Sequence, residues 1–545
     1  MTAEALEGHG GELALAPLRA AGVAELFTLS GGHIFPLLDA AVKADVRIVD
    51  VRHEQTAAFA AEGTAKLTRR PGVAALTAGP GVTNGMSALA TARFNGSPVV
   101  VLGGRAPQAR WGAGSLQEID HVPFVAPLTK VARTVTATDD IAAAVAVATA
   151  EALTPHRGPV FLDVPLDVLF ASGKGDASGP VVPAPAEPDP DAVRTAAEIL
   201  ARAERPAIVA GSDVWWGRAE EALVRCAETA RVPVFMNGMG RGCVPADHEL
   251  AFNRTRGLLK EEADAIVVVG APLDFRLRFG RYEKADVVHV VDAPEQQAGH
   301  ADVAVSVVGD LAAVLDRLAE GGRPQRDRSA WIERLRAEET EARTADVDLL
   351  EAPGTPIHPA RVYGEVLRRL DSDAVVVCDG GDFASYAGRF VDVKVPGSWL
   401  DTGPYGCLGS GPGHAIAARV VHPDRQVVLL LGDGAFGFSG MDFDTMVRHR
   451  LPVVAVVGNN GIWGLEKHPM DALYGYDVAA DLQPGCRYDE VVRALGGGGE
   501  LVEDPNQLGP ALDRAFAVSE RDRLPYLVNV VTDPANAYPR TSNLG

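Results

Sequence analysis

A chain of 545 residues, 47% hydrophobic and 23% charged, is long enough for three or four globular domains that each bury a core. Its formal net charge of −21 argues against nucleic acid or an anionic membrane as partner, although a local basic cluster can still hold an anionic substrate. The five cysteines (Cys226, Cys243, Cys378, Cys407, Cys486) are scattered and form no Cys-x-x-Cys pair, which fits reduced, buried thiols better than zinc or disulfides.

The first ten residues carry acidic side chains and no basic-then-apolar signal pattern, and no apolar run approaches the roughly 18 residues of a membrane span. A cytoplasmic location is expected. Residues 11–168 alternate helical patterns with short apolar runs, such as Val46-Arg47-Ile48-Val49 and Pro98-Val99-Val100-Val101-Leu102, and close on Gly158 to Pro165. Residues 1–170 therefore read as a first α/β domain, and 171–190, with five prolines among Gly, Ser and Ala, as an exposed linker. A second domain, 191–324, opens on a helical pattern from Ala192 to Ala203. Its runs Ala207-Ile208-Val209-Ala210 and Ile266-Val267-Val268-Val269 end in Gly211 and Gly270, as buried strands ending in turns do. A charged helical connector (325–355) leads to a third domain (356–535) and a polar tail (536–545). The fold class expected is α/β, with three doubly wound parallel-sheet domains in series.

The third domain contains the run Val427 to Leu431 followed by Gly432-Asp433-Gly434-Ala435-Phe436, then the run Leu451 to Val457 followed by Gly458-Asn459-Asn460. Adjacent parallel strands deliver such ends to one edge of the sheet, where ligands bind. A carboxylate, an amide oxygen and nearby backbone carbonyls suit a hard divalent cation that also holds a diphosphate. A bare Gly-Asp-Gly is a turn in most proteins, but strand, Gly-Asp-Gly, 24 residues (435–458) and Asn-Asn is a far more specific arrangement. It resembles the metal–diphosphate motif of thiamine-diphosphate (ThDP) enzymes. The resemblance implies Mg²⁺ held by Asp433, Asn460 and the backbone carbonyl of Ile462. It also implies a diphosphate approached by Gly432, Gly434 and Ala435 at a helix start.

His53-Glu54-Gln55 follows the strand that ends near Asp50. Alone, a glutamate at a helix start usually complements the helix dipole in solvent. Beside the diphosphate motif another role opens, because thiamine chemistry needs a buried carboxylic group hydrogen-bonded to the aminopyrimidine ring. Glu54 runs into the mostly apolar Thr56-Ala57-Ala58-Phe59-Ala60-Ala61, surroundings that suit proton exchange.

With these motifs, nearly the whole chain resembles the acetolactate synthase-type ThDP family, with pyrimidine-binding, central and diphosphate-binding domains in that order. Gly79-Pro80-Gly81-Val82-Thr83-Asn84 and Leu116-Gln117-Glu118 match its patterns. The resemblance implies cofactor contacts at Gly79 and Asn84, with Gln117 and the Gly31-Gly32 loop lining the substrate side. Leu408 falls where the family places a bulky apolar residue under the bent cofactor. Thr28 to Leu37 looks like the acetolactate synthase loop, while its Gly-x-His-Ile element and Asn459 to Gly464 are also similar to benzaldehyde lyase. His33 is then either a proton shuttle or a structural histidine.

Met239 to Gly242, Leu273 to Gly280, Gly411 to Ala417 and the tail Arg540 to Leu544 resemble 2-hydroxyacyl-CoA lyases and oxalyl-CoA decarboxylases. FAD-holding acetolactate synthases carry Arg-Phe-Asp-Asp-Arg where this chain has Leu273-Asp274-Phe275-Arg276. FAD is thus left open, and Arg276, Arg278 and Arg281 are either a nucleotide (ADP-type) phosphate site or a solvated basic face. The expected reaction decarboxylates a 2-oxo acid such as pyruvate and ligates the product to a second carbonyl. The alternatives are cleavage of an acyl-CoA or acyloin substrate and a non-catalytic cofactor-binding paralogue. The family places Glu54 and Asp433 across a subunit interface, which predicts a homodimer or homotetramer.

Overall fold

The computed structural model describes residues 5–536 and 538–539. The chain packs as two compact units. Of these, one comprises residues 5–183, 376–384 and 401–534, and the other 184–375, 385–400, 535–536 and 538–539.

The first unit begins with β1 (Ala5–His9), β2 (Glu25–Thr28), β3 (Arg47–Asp50), β4 (Gly72–Leu76), β5 (Val99–Arg105), β6 (Val131–Thr134), β7 (Val160–Pro165) and β8 (Ser172–Asp176). Six of these form a parallel sheet in the order β3-β2-β4-β5-β7-β6. The strands β4, β5 and β7 are buried throughout, as near-continuous apolar runs in a parallel sheet should be. The chain turns to β3 on one side of β2 and proceeds to β5 on the other side of β4. The crevice beyond the carboxyl ends of β2 and β4 is therefore the switch point at which open α/β sheets bind ligands.

The expected linker differs from what is found: its residues Ser172–Asp176 are β8, paired antiparallel with β1 from Ala5↔Asp176 to His9↔Ser172. Backbone pairing rather than side-chain burial holds this strand, so no hydrophobic pattern betrays it.

The same unit carries a second parallel sheet, in which Val427–Gly432, Val454–Asn459, Tyr526–Val531 and Gly498–Val502 lie side by side in that order. The helix Glu54–Thr68 joins the two halves. His53 caps it, Nδ1 accepting from the Gln55 N–H at 3.1 Å, and its alanine-rich interior is buried almost throughout. The helix Ser410–Val421 lies against it at a distance set by missing side chains. A Cβ on Gly63 would fall 2.8 Å from that of Ala417, and one on Gly413 2.7 Å from that of Phe59.

A buried charge network crosses this joint. Glu62 takes Lys66 at 3.0 Å, Asn95 at 2.8 Å, Ser97 at 3.2 Å and His414 at 3.1 Å. Burial pushes the Glu62 carboxyl up, but Lys66, His414 and Asn95 outweigh it and hold it down to about 2, from 4.5. Burial lowers His414, so its ring donates as neutral imidazole. A depressed carboxyl stabilises the fold above its unfolded pKa, and that stability is lost as pH falls from about 4.5 towards 2. Glu62→Gln, which removes the carboxylate facing Lys66, should destabilise by about 3–5 kcal/mol near neutrality. Urea melts near pH 7 and near pH 3 would show the penalty shrinking with acid; equal penalties at both would contradict the network's role.

The second unit contains β9 (Pro206–Ala210), β10 (Val234–Met236), β11 (Ala251–Phe252), β12 (Ala265–Val269), β13 (Asp286–Val291) and β14 (Val305–Val308), in the parallel order β11-β10-β9-β12-β13-β14. The expected opening helix is Pro190–Arg202 and the connector is the helix Ser329–Leu350. Residues 356–375 and 385–400, expected in the third domain, pack with this unit, where Arg343 pairs with Asp392 and Arg389 with Asp346, while Tyr363, Tyr386 and Phe390 join the two segments in one aromatic cluster. Three parallel sheets flanked by helices bear out the expected fold class.

Among the described residues no helix is long and apolar enough to cross a membrane. None of the five cysteines is in a disulfide. Cys226, Cys243 and Cys378 are buried as expected, but Cys407 and Cys486 are only partly so. The Arg540–Leu544 motif lies outside the described residues.

Candidate active site

Two clusters form in the first unit. The first fills the β2/β4 crevice. The segment after β2 carries Gly31, Gly32 and His33, the loop after β4 carries Thr77 and Gly79, and the short helix that follows, Pro80–Asn84, ends in Asn84. Thr77 Oγ1 lies 3.4 Å from His33 Nδ1, and a Cβ on Gly31 would meet that hydroxyl at 2.4 Å. A Cβ on Gly32 would meet nothing, so the loop is open on that side. Burial pulls His33 below its ordinary value, against the Leu116 carbonyl, leaving a neutral imidazole able to accept a proton.

Glu54, buried at the first position of its helix, accepts from Asn84 Nδ2 through Oε2 at 3.0 Å. Its Oε1 lies 3.7 Å from where a Gly81 Cβ would stand. Gln117 joins from a third loop with a left-handed backbone (φ 60°), rare for a residue with a side chain and common where function holds a strained turn. Its Cβ lies 2.9 Å from the Cβ position of Gly79, itself at φ 62°. The structure thus brings together Glu54, Asn84, His33, Gly31, Gly32, Gly79 and Gln117.

The second cluster sits past Val427–Gly432 and Val454–Asn459, which pair with Gly432 opposite Gly458. Asp433 and Asn460 therefore leave neighbouring strand ends at the same edge. Asp433 Oδ1 accepts from Gly434 N–H at 2.9 Å and Oδ2 from Gly461 N–H at 2.7 Å, while Asn460 Oδ1 accepts from Ile462 N–H at 3.2 Å. The two asparagines divide their work. Asn459 is buried and donates to the Cys486 carbonyl and Asn529 Oδ1, tying the sheet, whereas Asn460 is half-buried. Ile462 is held in a short bridge by the Trp463 N–H and the Gly461 carbonyl, neither of which uses its own carbonyl.

Burial lifts the Asp433 carboxyl to about 6, opposed only in part by the N–H groups of Gly461, Gly434, Asp433 and Asn460. The two closest of these N–H groups fall on different oxygens, Gly434 on Oδ1 and Gly461 on Oδ2. A Cβ on Gly432 would meet nothing within 4 Å, whereas one on Gly434 would strike Trp463 at 2.4 Å. A buried carboxylate short of positive charge, beside an amide oxygen and open backbone, fits a divalent cation with a diphosphate.

Leu408 completes this side, its Cδ2 2.7 Å from the Cβ position of Gly380. Below it, fully buried Asp379 accepts from Gly409 N–H at 2.9 Å and Gly411 N–H at 3.0 Å, fixing the turn that presents Leu408. Burial raises Asp379 to about 7, against the N–H groups of Gly411, Gly409, Ser410 and Gly380. Asp379, Thr77, His121 and Asp163 were not singled out by motif. Asp379 carries the signal that found Asp433, an apolar strand ending in aspartate.

In the second unit the basic cluster is less free than the sequence suggests. Asp274 clamps Arg276 through Nη2 at 2.7 Å and Nε at 3.0 Å, and Arg278 reaches the Arg281 carbonyl at 3.4 Å. A cavity of about 520 Å³ lies beside it, lined by Leu273, Asp274, Phe279, Gln296 and His300 among others.

Residues 8–124 match the family description "Thiamine pyrophosphate enzyme, N-terminal TPP binding domain", residues 193–318 its central domain, and residues 379–530 its C-terminal TPP binding domain. The chain belongs to the thiamine pyrophosphate enzyme family, and it is an enzyme that uses thiamine diphosphate with a divalent metal such as Mg²⁺. Within that family it is of the acetolactate synthase-like type. It is 55% identical to the acetolactate synthase large subunit of Mycobacterium tuberculosis and to a probable acetolactate synthase of Mycobacterium bovis, over 100% of this chain and 99% of each relative. It is 36% identical to 2-hydroxyacyl-CoA lyase 2 of Mus musculus, over 92% of this chain and 86% of that protein.

Proposed function

We propose that the chain decarboxylates a 2-oxo acid such as pyruvate and ligates the product to a second carbonyl. The observation that carries this is the crevice at the β2/β4 switch point, where buried Glu54, oriented by Asn84, meets His33, Gly79 and Gln117. When bound, thiamine diphosphate supplies a carbon nucleophile and an electron sink. Glu54 holds and releases a proton at its carboxyl, and neutral His33 accepts or returns one at the substrate. Gln117 and the Gly31-Gly32 loop bound the substrate side. Asp433, Asn460 and the Ile462 carbonyl hold the cation, the backbone of Gly432, Gly434 and Ala435 faces the diphosphate, and Leu408 supplies the apolar wall.

The active form is a homodimer or homotetramer. In one chain Arg52 N–H and Thr56 Oγ1 bond Asp442, at 2.8 and 2.6 Å, on the diphosphate side, whereas Glu54 bonds into its own first domain. Among the described residues no hydrogen bond within the chain joins Glu54 to Asp433, and a second copy bringing its own Asp433 clamp to Glu54 would complete the site. The lack of a membrane-crossing helix among the described residues suits the cytoplasm.

A second reading, cleavage of a 2-hydroxyacyl-CoA or an acyloin, draws on the 520 Å³ cavity beside Arg276, which has room for part of a nucleotide such as ADP or FAD. The test offers pyruvate, a benzoin and a 2-hydroxyacyl-CoA in parallel to the protein with ThDP and Mg²⁺, with and without FAD. Acetolactate is the expected product; cleavage of the thioester alone would overturn the primary reading.

A further inference from the structure

We propose that His121 and Asp163 are positioning residues that pin the substrate-side loop to the Gly79 turn and so hold Gln117 in its left-handed conformation. This rests on the reading of Gln117 as a substrate-side residue. Both side chains are fully buried. His121 Nε2 receives the Gly79 N–H at 2.9 Å, and Nδ1 lies 2.8 Å from Asp163 Oδ2. An N–H pointing at Nε2 requires that nitrogen to be unprotonated, so the ring proton sits on Nδ1 and goes to Asp163. Asp163 β-strand geometry anchors the pair: β7 lies beside β5, whose Arg105 shares the same carboxylate oxygen at 3.0 Å and rests over the Trp111 ring at 3.9 Å. The charged groups facing the ring are Asp163, Arg105 with its second partner Asp120, and His33 across the crevice.

The other end of the chain of contacts is Gln117. The segment from Gly112 to Glu118 is largely exposed, and its two glycines have positive φ. Glu118 ties it internally, its carboxylate accepting the Gly112 N–H at 2.9 Å and the Ser115 N–H at 3.3 Å. Two touches register it on the Gly79 turn: Gly79 packs its Cα side against Gln117, and four residues later His121 takes the Gly79 N–H. Removing the second leaves a strained Gln117 with one tie to that turn. A wrong tautomer or a protonated ring would set a donor against the Gly79 N–H.

A displaced substrate group of about 1 Å costs on the order of 100-fold in rate. His121→Leu should therefore lower kcat/KM for whichever carbonyl substrate turns over by about 10–100-fold, with ThDP–Mg²⁺ affinity changed by less than about 3-fold. His121→Gln, whose amide oxygen reaches roughly where Nε2 stood, should recover most of the loss. Equal defects in both variants with equal melting temperatures, or wild-type kcat/KM in His121→Leu, would overturn the proposal. Should His121→Leu not fold, ¹⁵N-histidine NMR of the wild type decides, with His121 identified by its absence from His121→Gln. A neutral Nδ1–H tautomer is expected, and an Nε2–H tautomer or imidazolium would refute the pin. That spectrum needs no substrate, so it stands even if pyruvate proves not to be the donor.

Discussion

Glu54→Gln should lower kcat by about 10²–10⁴-fold, the range of a positioned general acid or base, while leaving ThDP–Mg²⁺ binding within about tenfold. The asymmetry follows from what the side chain touches. Asn84 Nδ2 donates to Oε2 at 3.0 Å, and a glutamine can keep that bond by turning its amide oxygen to Asn84. Shape and burial survive, as does the helix cap, which comes from His53. What disappears is an oxygen able to carry and release a proton, the one property the proposed chemistry needs there. The proposed cation ligands Asp433 and Asn460 leave strands of a different sheet, so binding should be spared. Steady-state turnover with calorimetric titration of ThDP in Mg²⁺ reads both quantities, and unchanged turnover would sink the proposed mechanism.

How much of this was legible in the sequence varied with the kind of force involved. Buried strands were plain: the runs at 99–102, 207–210, 266–269 and 427–431 all lie in parallel strands, because burial on both faces demands continuous apolar residues. Strand β8 was not, because Ser172 to Asp176 alternate between exposed and half-buried positions and the strand is held by pairing with β1. The meeting of Asp433 and Asn460 was readable because both end neighbouring strands a fixed distance apart in sequence. His121 and Asp163 were invisible for the opposite reason: they lie 42 residues apart on different elements, and only the fold sets Nδ1 against Oδ2. Arg276 shows another gap between sequence and fold. A basic residue in sequence counts as available charge, yet Asp274, two residues away, already occupies its guanidinium.

Asp433→Asn should weaken ThDP–Mg²⁺ loading at about pH 8 by more than about 100-fold, since loss of an outer-shell partner alone costs 10–100-fold and this residue would touch the ion. The amide preserves volume, and its oxygen can still accept the Gly461 N–H now held by Oδ2 at 2.7 Å, so the strand end should survive with little change in melting temperature. The wild type carries a second signature. Burial raises Asp433 to about 6, so in the empty protein a proton competes with the cation within the physiological range. Binding requires the carboxylate, and apparent affinity should fall by about tenfold per pH unit below about 6, with one proton released on loading. An asparagine has no proton to lose, so that acid limb should vanish in the variant even though its affinity is lower throughout. Titrations of ThDP in fixed Mg²⁺ across pH separate the two effects. Loading by Asp433→Asn that matches the wild type at about pH 8 would remove Asp433 from the metal site. An acid limb that persists in the variant would assign the titration to another group.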